Sequence, residues 1–243
     1  MRIIDAVWEK RNLGVSVQEI SVDTQDNLGE LKNAIKELTA QYAVIKFPSN
    51  KIDFIWAAEE NGFRFVETQL VLTGNLKTIT PEAERILNRN KYITVKTDNS
   101  PEMFEFVASK IREGIFFTDR IALDPYFNSE LANKRYANWL LDMKDNKKSN
   151  LQIMRKGNDI VAFNLNKLDG SVSHGLIGGI FKDFQKEPLG LYWEAAIIKN
   201  LSEIDGIKNW EATVSSNNYS VIKVCEYFGM QVSTISSVFV KHS

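Results

Sequence analysis

Ile180-Phe-Lys-Asp-Phe-Gln-Lys-Glu-Pro-Leu-Gly190 is the stretch on which the fold turns, because it joins two different hydrophobic periods through a short polar turn. Before it, residues 171–181 read as a strand; after it, residues 189–201 read as a helix with an apolar face. A turn of this kind presents backbone amides at a helix N-terminus, where N–H groups and the positive end of the helix dipole suit an anion. Gly190 permits close approach of a ligand to the backbone. Pro188 removes one donor and fixes φ, so one anion hydrogen bond is expected to be absent or relocated.

Upstream, Leu151–Arg155, Ile160–Leu165 and Ser171–Phe181 form a meander of three strands separated by the turns Lys156-Gly-Asn158 and Asp169-Gly170. Ahead of it stand a strand at Tyr92–Lys96, a helix begun by Pro101 and a second helix over Glu130–Met143. Downstream come a strand at Trp210–Val214, a helix over Tyr219–Tyr227 ended by Gly229, and a last strand at Gln231–Val240. The amino-terminal third reads β-α-β-α-β: strand 15–20, helix 28–38, strand 42–47, helix 52–59 and a long strand 63–72. Thr73–Pro81 and the charged run to Lys91 read as a connector, which puts a boundary near residue 88. The expected architecture is α/β (α+β). Residues 89–243 form a mixed, mostly antiparallel sheet flanked by helices, preceded by a smaller β-α-β-α-β domain over residues 1–88.

One spacing repeats: Asn50 to Gly62 and Asn217 to Gly229 are both twelve residues, and each interval carries a helix between two strands. Two explanations stand, a common β-α-β connection length or a degenerate partial copy of the C-terminal domain within residues 15–72.

Composition removes several function classes. Lys+Arg 30 against Asp+Glu 31 gives a net charge of -1, so no global cationic field exists for nucleic acid or an anionic membrane surface. Two histidines and one cysteine provide no zinc-type cluster, and no metal is expected. Asp5 and Glu9 interrupt any apolar leader, which leads to the expectation of a cytoplasmic protein.

Over residues 92–240 the element order resembles the GNAT superfamily of acetyl-CoA-dependent N-acetyltransferases. Gln185, Pro188 and Gly190 occupy the three marked positions of that family's Arg/Gln-x-x-Gly-x-Gly/Ala turn. Asn218, Val221, Val224 and Gly229 follow its later asparagine signature. Arg120-Ile-Ala-Leu-Asp-Pro-Tyr-Phe127, Arg135-Tyr-Ala-Asn-Trp139 and Asn61-Gly-Phe-Arg-Phe-Val-Glu67 look like the dTDP-fucosamine N-acetyltransferase branch. The resemblance implies acetyl-CoA as co-substrate and transfer to a small-molecule amine, in that branch the amine of a nucleotide-linked amino sugar. It implies cofactor contacts at Ile180, Phe181, Gln185, Lys186, Glu187, Pro188, Leu189, Gly190 and Asn218. A homodimer is compatible with it.

Catalytic candidates follow from what acetyl transfer needs, a base for the amine and a proton for the departing thiolate. Many relatives carry a Tyr seven residues after the motif asparagine, and here that position is Cys225, either a thiol donor or a core residue. His174 and Glu211 are candidate bases. Arg120, Asp124, Tyr126, Phe127 and Tyr136 are candidates for holding the acceptor, against the alternative of an ordinary amphipathic core stripe. Two further functions share the fold: a non-catalytic acyl-CoA-binding module, and acylation of an amino acid or protein amine.

Overall fold

The computed structural model describes residues 1–89 and 93–243. In chain order the elements are β1 (Arg2–Asp5), α1 (Lys10–Leu13), β2 (Val17–Ser21), α2 (Leu28–Glu37), β3 (Tyr42–Pro48), α3 (Ile52–Glu60), β4 (Arg64–Asn75), α4 (Leu76–Leu87) and β5 (Ile93–Thr97). They continue as α5 (Pro101–Arg112), α6 (Arg120–Leu123), α7 (Ser129–Asp142), β6 (Ser149–Lys156), β7 (Asp159–Asp169) and β8 (Val172–Ile180). The last are α8 (Gly190–Ser202), β9 (Asn209–Ser215), α9 (Tyr219–Tyr227) and β10 (Gln231–His242).

The ten strands of the described residues join one sheet in the order β1-β2-β3-β10-β4-β9-β8-β7-β6-β5. Read outward from the central pair β10/β4, the order is symmetric: β3 answers β9, β2 answers β8 and β1 answers β7. The parallel pairs, β2/β3 and β8/β9, sit at equivalent places, and α2 and α8 are their crossovers. The last strand of each half is exchanged, β4 lying between β9 and β10, and β10 between β3 and β4. A boundary near residue 88 therefore follows the end of α4 without separating two sheets; Lys91 and Tyr92, also part of that reading, lie outside the described residues.

Strand alternation sorts the core into two faces. Ile20, Ile45, Phe47 and Phe239 pack under α2 and α3, while Leu72, Trp210 and Val214 pack under α4, α8 and α9 on the same face. Val44, Val238 and Val240 face the other way, towards α6 and α7, and Leu151, Phe163 and Ile177 pack there against α5 and α7.

The expected connector after residue 72 is not one. β4 runs on to Asn75, and Leu76–Leu87 is helical despite Pro81. Leu76, Ile79, Ala83 and Ile86 form a buried stripe packed with residues of α8, and burying that stripe outweighs the hydrogen bond lost at proline. The edge strand β1 and the short helix α6 are further elements that periodicity missed, since four residues are too few to show a period.

Candidate active site

β8 and β9 form a fork. They pair in parallel from Val172/Asn209 to Gly175/Ala212 and no further. Beyond that point β8 continues to Ile180 paired only with β7, while β9 continues to Ser215 paired only with β4. The facing backbone edges of Leu176–Ile180 and Thr213–Ser215 make no ladder with each other, so the fork is a slot with the chemistry of an open sheet edge. A bulge lies in β8 at Leu176. At Gly178 a side chain is excluded by close packing, since a Cβ there would stand 2.7 Å from Asn164 Oδ1.

The turn after β8 leads to α8, whose first turn has no side-chain cap and no acidic residue. The Gly190, Leu191 and Tyr192 amides have no acceptor among the described residues. A Cβ on Gly190 would meet nothing nearer than Val224 Cγ2 at 3.7 Å, so this helix start is open to a ligand. Glu187 is countered by Lys156 at 2.5 Å, which removes its opposition to an anion. Gln185, exposed on the turn, donates to the Ile180 carbonyl at 3.2 Å. Leu189 is buried under the turn, Lys186 is exposed, and Asn218 caps α9, accepting from Val221 N at 3.4 Å.

Phe181 does not fit the place the resemblance gives it. Its amide donates to Val161 O and its carbonyl accepts from Phe184 N, both at 2.9 Å, and its ring stacks on Phe163. Neither backbone group is free for pantetheine. Cys225 is likewise core: it is 1% exposed, its thiol lies 3.6 Å from Glu194 Oε1, and burial pushes its pKa up. The thiol is packed among Ile222, Phe228 and Met230 and donates to Glu194, so its proton is already committed inside the core. Burial also pushes the Glu194 carboxyl up to about 8.

His174 and Glu211 do meet, across the last paired rungs of the fork, with Nδ1 and Oε1 3.2 Å apart. The face of the sheet opposite α8 carries a second, charged cluster. Lys46 pairs with Val238 and Val238 pairs with Glu67, so Lys46 and Glu67 share one row and one face, two strands and about 10 Å apart. Glu67 lies just past the open end of β9, since Gln69 is opposite Ser215. Its Oε1 accepts from Gln69 Nε2 at 2.8 Å, the Ser215 hydroxyl lies beside it, and its Oε2 is buried with no partner among the described residues. Burial raises its pKa.

The roof over this row comes from α6 and α7. Arg120, 4% exposed, reaches Glu19 Oε1 at 2.6 Å and Glu9 Oε1 at 3.5 Å, and Arg135 Nε donates to Glu9 Oε1 at 2.6 Å. Burial opposes the charge of Glu19, but Arg120 and then Lys46 hold its carboxyl down at about 2. Tyr136 stacks near Phe116, which approaches Gly179 of β8, and so bridges the fork to the charged row. Asp124, Tyr126 and Phe127 serve the C-terminal strand instead. Asp124 lies 2.8 Å from His242 Nε2, Tyr126 stacks on the same imidazole, and Phe127 meets Tyr42 edge-on.

Glu67, Glu9, Glu19 and Lys46 were missed as site residues, although Lys46 and Glu67 carried a signal. Lys46 is a charged residue inside the apolar run Tyr42–Phe47 and Glu67 follows Phe65-Val66 in a long strand, places where burying a charge is costly without a purpose. Among the described residues no three His, Cys, Asp or Glu side chains gather as a metal site, and no helix is long and apolar enough to cross a membrane.

Neither a family model nor a curated protein sequence matches the chain. Solved structures do. A functionally unknown conserved protein from Staphylococcus epidermidis superposes with a TM-score of 0.60 at 11% identity, covering 94% of this chain and 84% of that one. A GCN5-related N-acetyltransferase from Sphaerobacter thermophilus gives 0.59 at 13% identity, covering 93% and 73%. A tandem GNAT protein from the clavulanic acid biosynthesis pathway gives 0.56 at 8% identity, covering 94% and 77%. At these identities the likeness speaks for architecture alone, and the chain has the fold of these GNAT-type structures.

Proposed function

We propose that the chain transfers an acetyl group from acetyl-CoA to a primary amine of a small molecule. The observation that carries this reading is Glu67, a buried carboxylate with one unpartnered oxygen, placed on the face of the sheet beside the open end of the fork. Acetyl-CoA would supply the acyl group as an activated thioester. The free amides of Gly190, Leu191 and Tyr192 suit its pyrophosphate, and the unladdered edge of β8 up to Ile180 suits its pantetheine amides. Glu67 Oε2 takes the proton of the acceptor ammonium, a role its raised pKa favours near neutrality. Tyr136 and Arg135 roof the row and exclude water. His174 and Glu211 satisfy each other at the closed root of the fork and are the second choice of base.

An amino-sugar acceptor, nucleotide-linked in the branch named above, rests on the likeness of residues 61–67, 120–127 and 135–139. Engagement of both Phe181 backbone groups and burial of Cys225 favour, as a second reading, a module that binds acyl-CoA without turnover.

Thiol release from acetyl-CoA over a panel of primary amines separates the two. Amine-dependent release that Glu67→Gln abolishes supports transfer. Absence of release with every amine, while acetyl-CoA still raises the melting temperature, leaves only the binding module.

A further inference from the structure

Two strands beyond Glu67 on the same face lies a cavity of about 270 Å³ whose lining includes Trp8, Glu19, Lys46, Arg120, Arg135 and Trp139. Its charges do not balance. Arg11 and Asp142 at its edge pair with each other. Inside, Lys46, Arg120 and Arg135 face the carboxylates of Glu9 and Glu19, which leaves one positive charge in excess. Arg120 is 4% exposed, yet its Nε has no partner among the described residues. Burial and then the Arg120 charge lower the pKa of Lys46, so an anion bound beside it would stabilise its ammonium form. Two indoles complete the walls, Trp8 half exposed and Trp139 on α7.

An oxyanion answers each of these features, because it offsets the spare charge and accepts charge-assisted hydrogen bonds from guanidinium and ammonium groups. We infer that this cavity is the anion subsite of the acceptor. The substrate is an amine that carries, roughly 10 Å from its nitrogen, a phosphate or carboxylate held by Lys46, Arg120 and Arg135, with the nitrogen at Glu67. The inference rests on the acetyl-transfer reading only for the position of the amine; the anion site stands on the cavity itself.

The test compares 6-aminohexyl phosphate with 6-aminohexanol, which differ only in the anion. Calorimetry on the full chain without acetyl-CoA should show the phosphate binding at least tenfold more tightly. Lys46→Gln and, independently, Arg135→Gln should bring that ratio towards one while far-UV circular dichroism stays unchanged. The same ratio should reappear in kcat/KM for thiol release, and 6-aminohexanoate tells a carboxylate site from a phosphate site. Equal affinity of the wild-type chain for the phosphate and the alcohol overturns the inference, as does a preference that survives in both variants. If no amine releases thiol, the acetyl-transfer reading falls, and the calorimetric ratio still decides the anion site.

Discussion

The β2/β3 and β8/β9 pairs hold equivalent places in the sheet, but only the second is open. β2 stays paired with β3 along its whole length, and Val22 N adds a further bond to Lys46 O. β8 and β9 part after four rungs. The crossover helices differ in the same sense. α2 starts with a capping box, Asn27 and Glu30 each accepting from the other's amide, and Asp23 and Asp26 precede it. α8 starts bare. One topology, used twice, thus gives a closed, acid-capped unit and an open, uncapped one. The length of pairing and the helix start, more than the order of elements, decide which can take an anionic ligand.

The strongest way to break this comparison is at Glu67. Glu67→Gln should lower kcat by about 10²- to 10⁴-fold, the usual span for a general base. Thr234, placed equivalently in β10 (each is 17 residues after the repeat's Asn50 or Asn217) and exposed, should tolerate Val with little change in kcat. Steady-state thiol release measures both. Because burial raises the Glu67 pKa, wild-type kcat/KM should begin to fall on the acid side at a higher pH than an ordinary glutamate would give.

Next in size is the pH dependence of the α8/α9 interface. Burial pushes the Glu194 carboxyl up to about 8 from the ordinary 4.5, so the folded state keeps a proton the unfolded chain has released. Its contribution to stability is complete below about pH 4.5, declines as pH rises towards 8 and is flat above. Glu194→Gln should remove roughly 2–4 kcal/mol of that decline, read as urea midpoints from pH 5 to 9. A wild-type midpoint that does not move across this range counts against a protonated Glu194.

Gly190→Asp should weaken acetyl-CoA binding by about ten- to a hundredfold, since it sets a carboxylate against the anion site while the new Cβ has room. In the closed unit, Asn27→Ala should cost about 1 kcal/mol of stability and leave acetyl-CoA affinity unchanged. Loss of affinity in the second variant would mean that both crossovers serve the cofactor. The smallest effect is expected at Cys225, whose counterpart eight residues after Asn50 is Ala58. Cys225→Ser should cost under about 1 kcal/mol, because the hydroxyl keeps Glu194 as an acceptor, and kcat should be unaltered.

Where side chains alternate or recur over five residues or more, the sequence was legible: Tyr42–Phe47, Ile52–Glu59 and Tyr219–Tyr227 fall within a residue or so of β3, α3 and α9. α4 was hidden because Pro81 and the charges around it mask the stripe of Leu76, Ile79, Ala83 and Ile86, which burial against α8 makes decisive. The turn before Gly190 could be found locally, since its chemistry lies within one short segment. The charged row could not, because Glu9, Glu19, Lys46, Glu67, Arg120 and Arg135 come from six separate segments of the chain, and only strand exchange sets β3, β10 and β4 side by side.

That exchange also sets a schedule for synthesis. β4 must find β10, which trails it by more than 150 residues, and β3 waits on the same strand. At roughly 5–20 residues per second, a ribosome takes about 10–30 s to deliver it. Throughout that interval β3 and β4 each lack a neighbour they will later pair with, and such edges invite pairing with another nascent chain. Closure of so distant a contact is slow in its own right. The molecule should therefore lean on chaperones that shield sheet edges during translation, and its yield should fall when they are depleted, even for variants whose finished stability is unchanged.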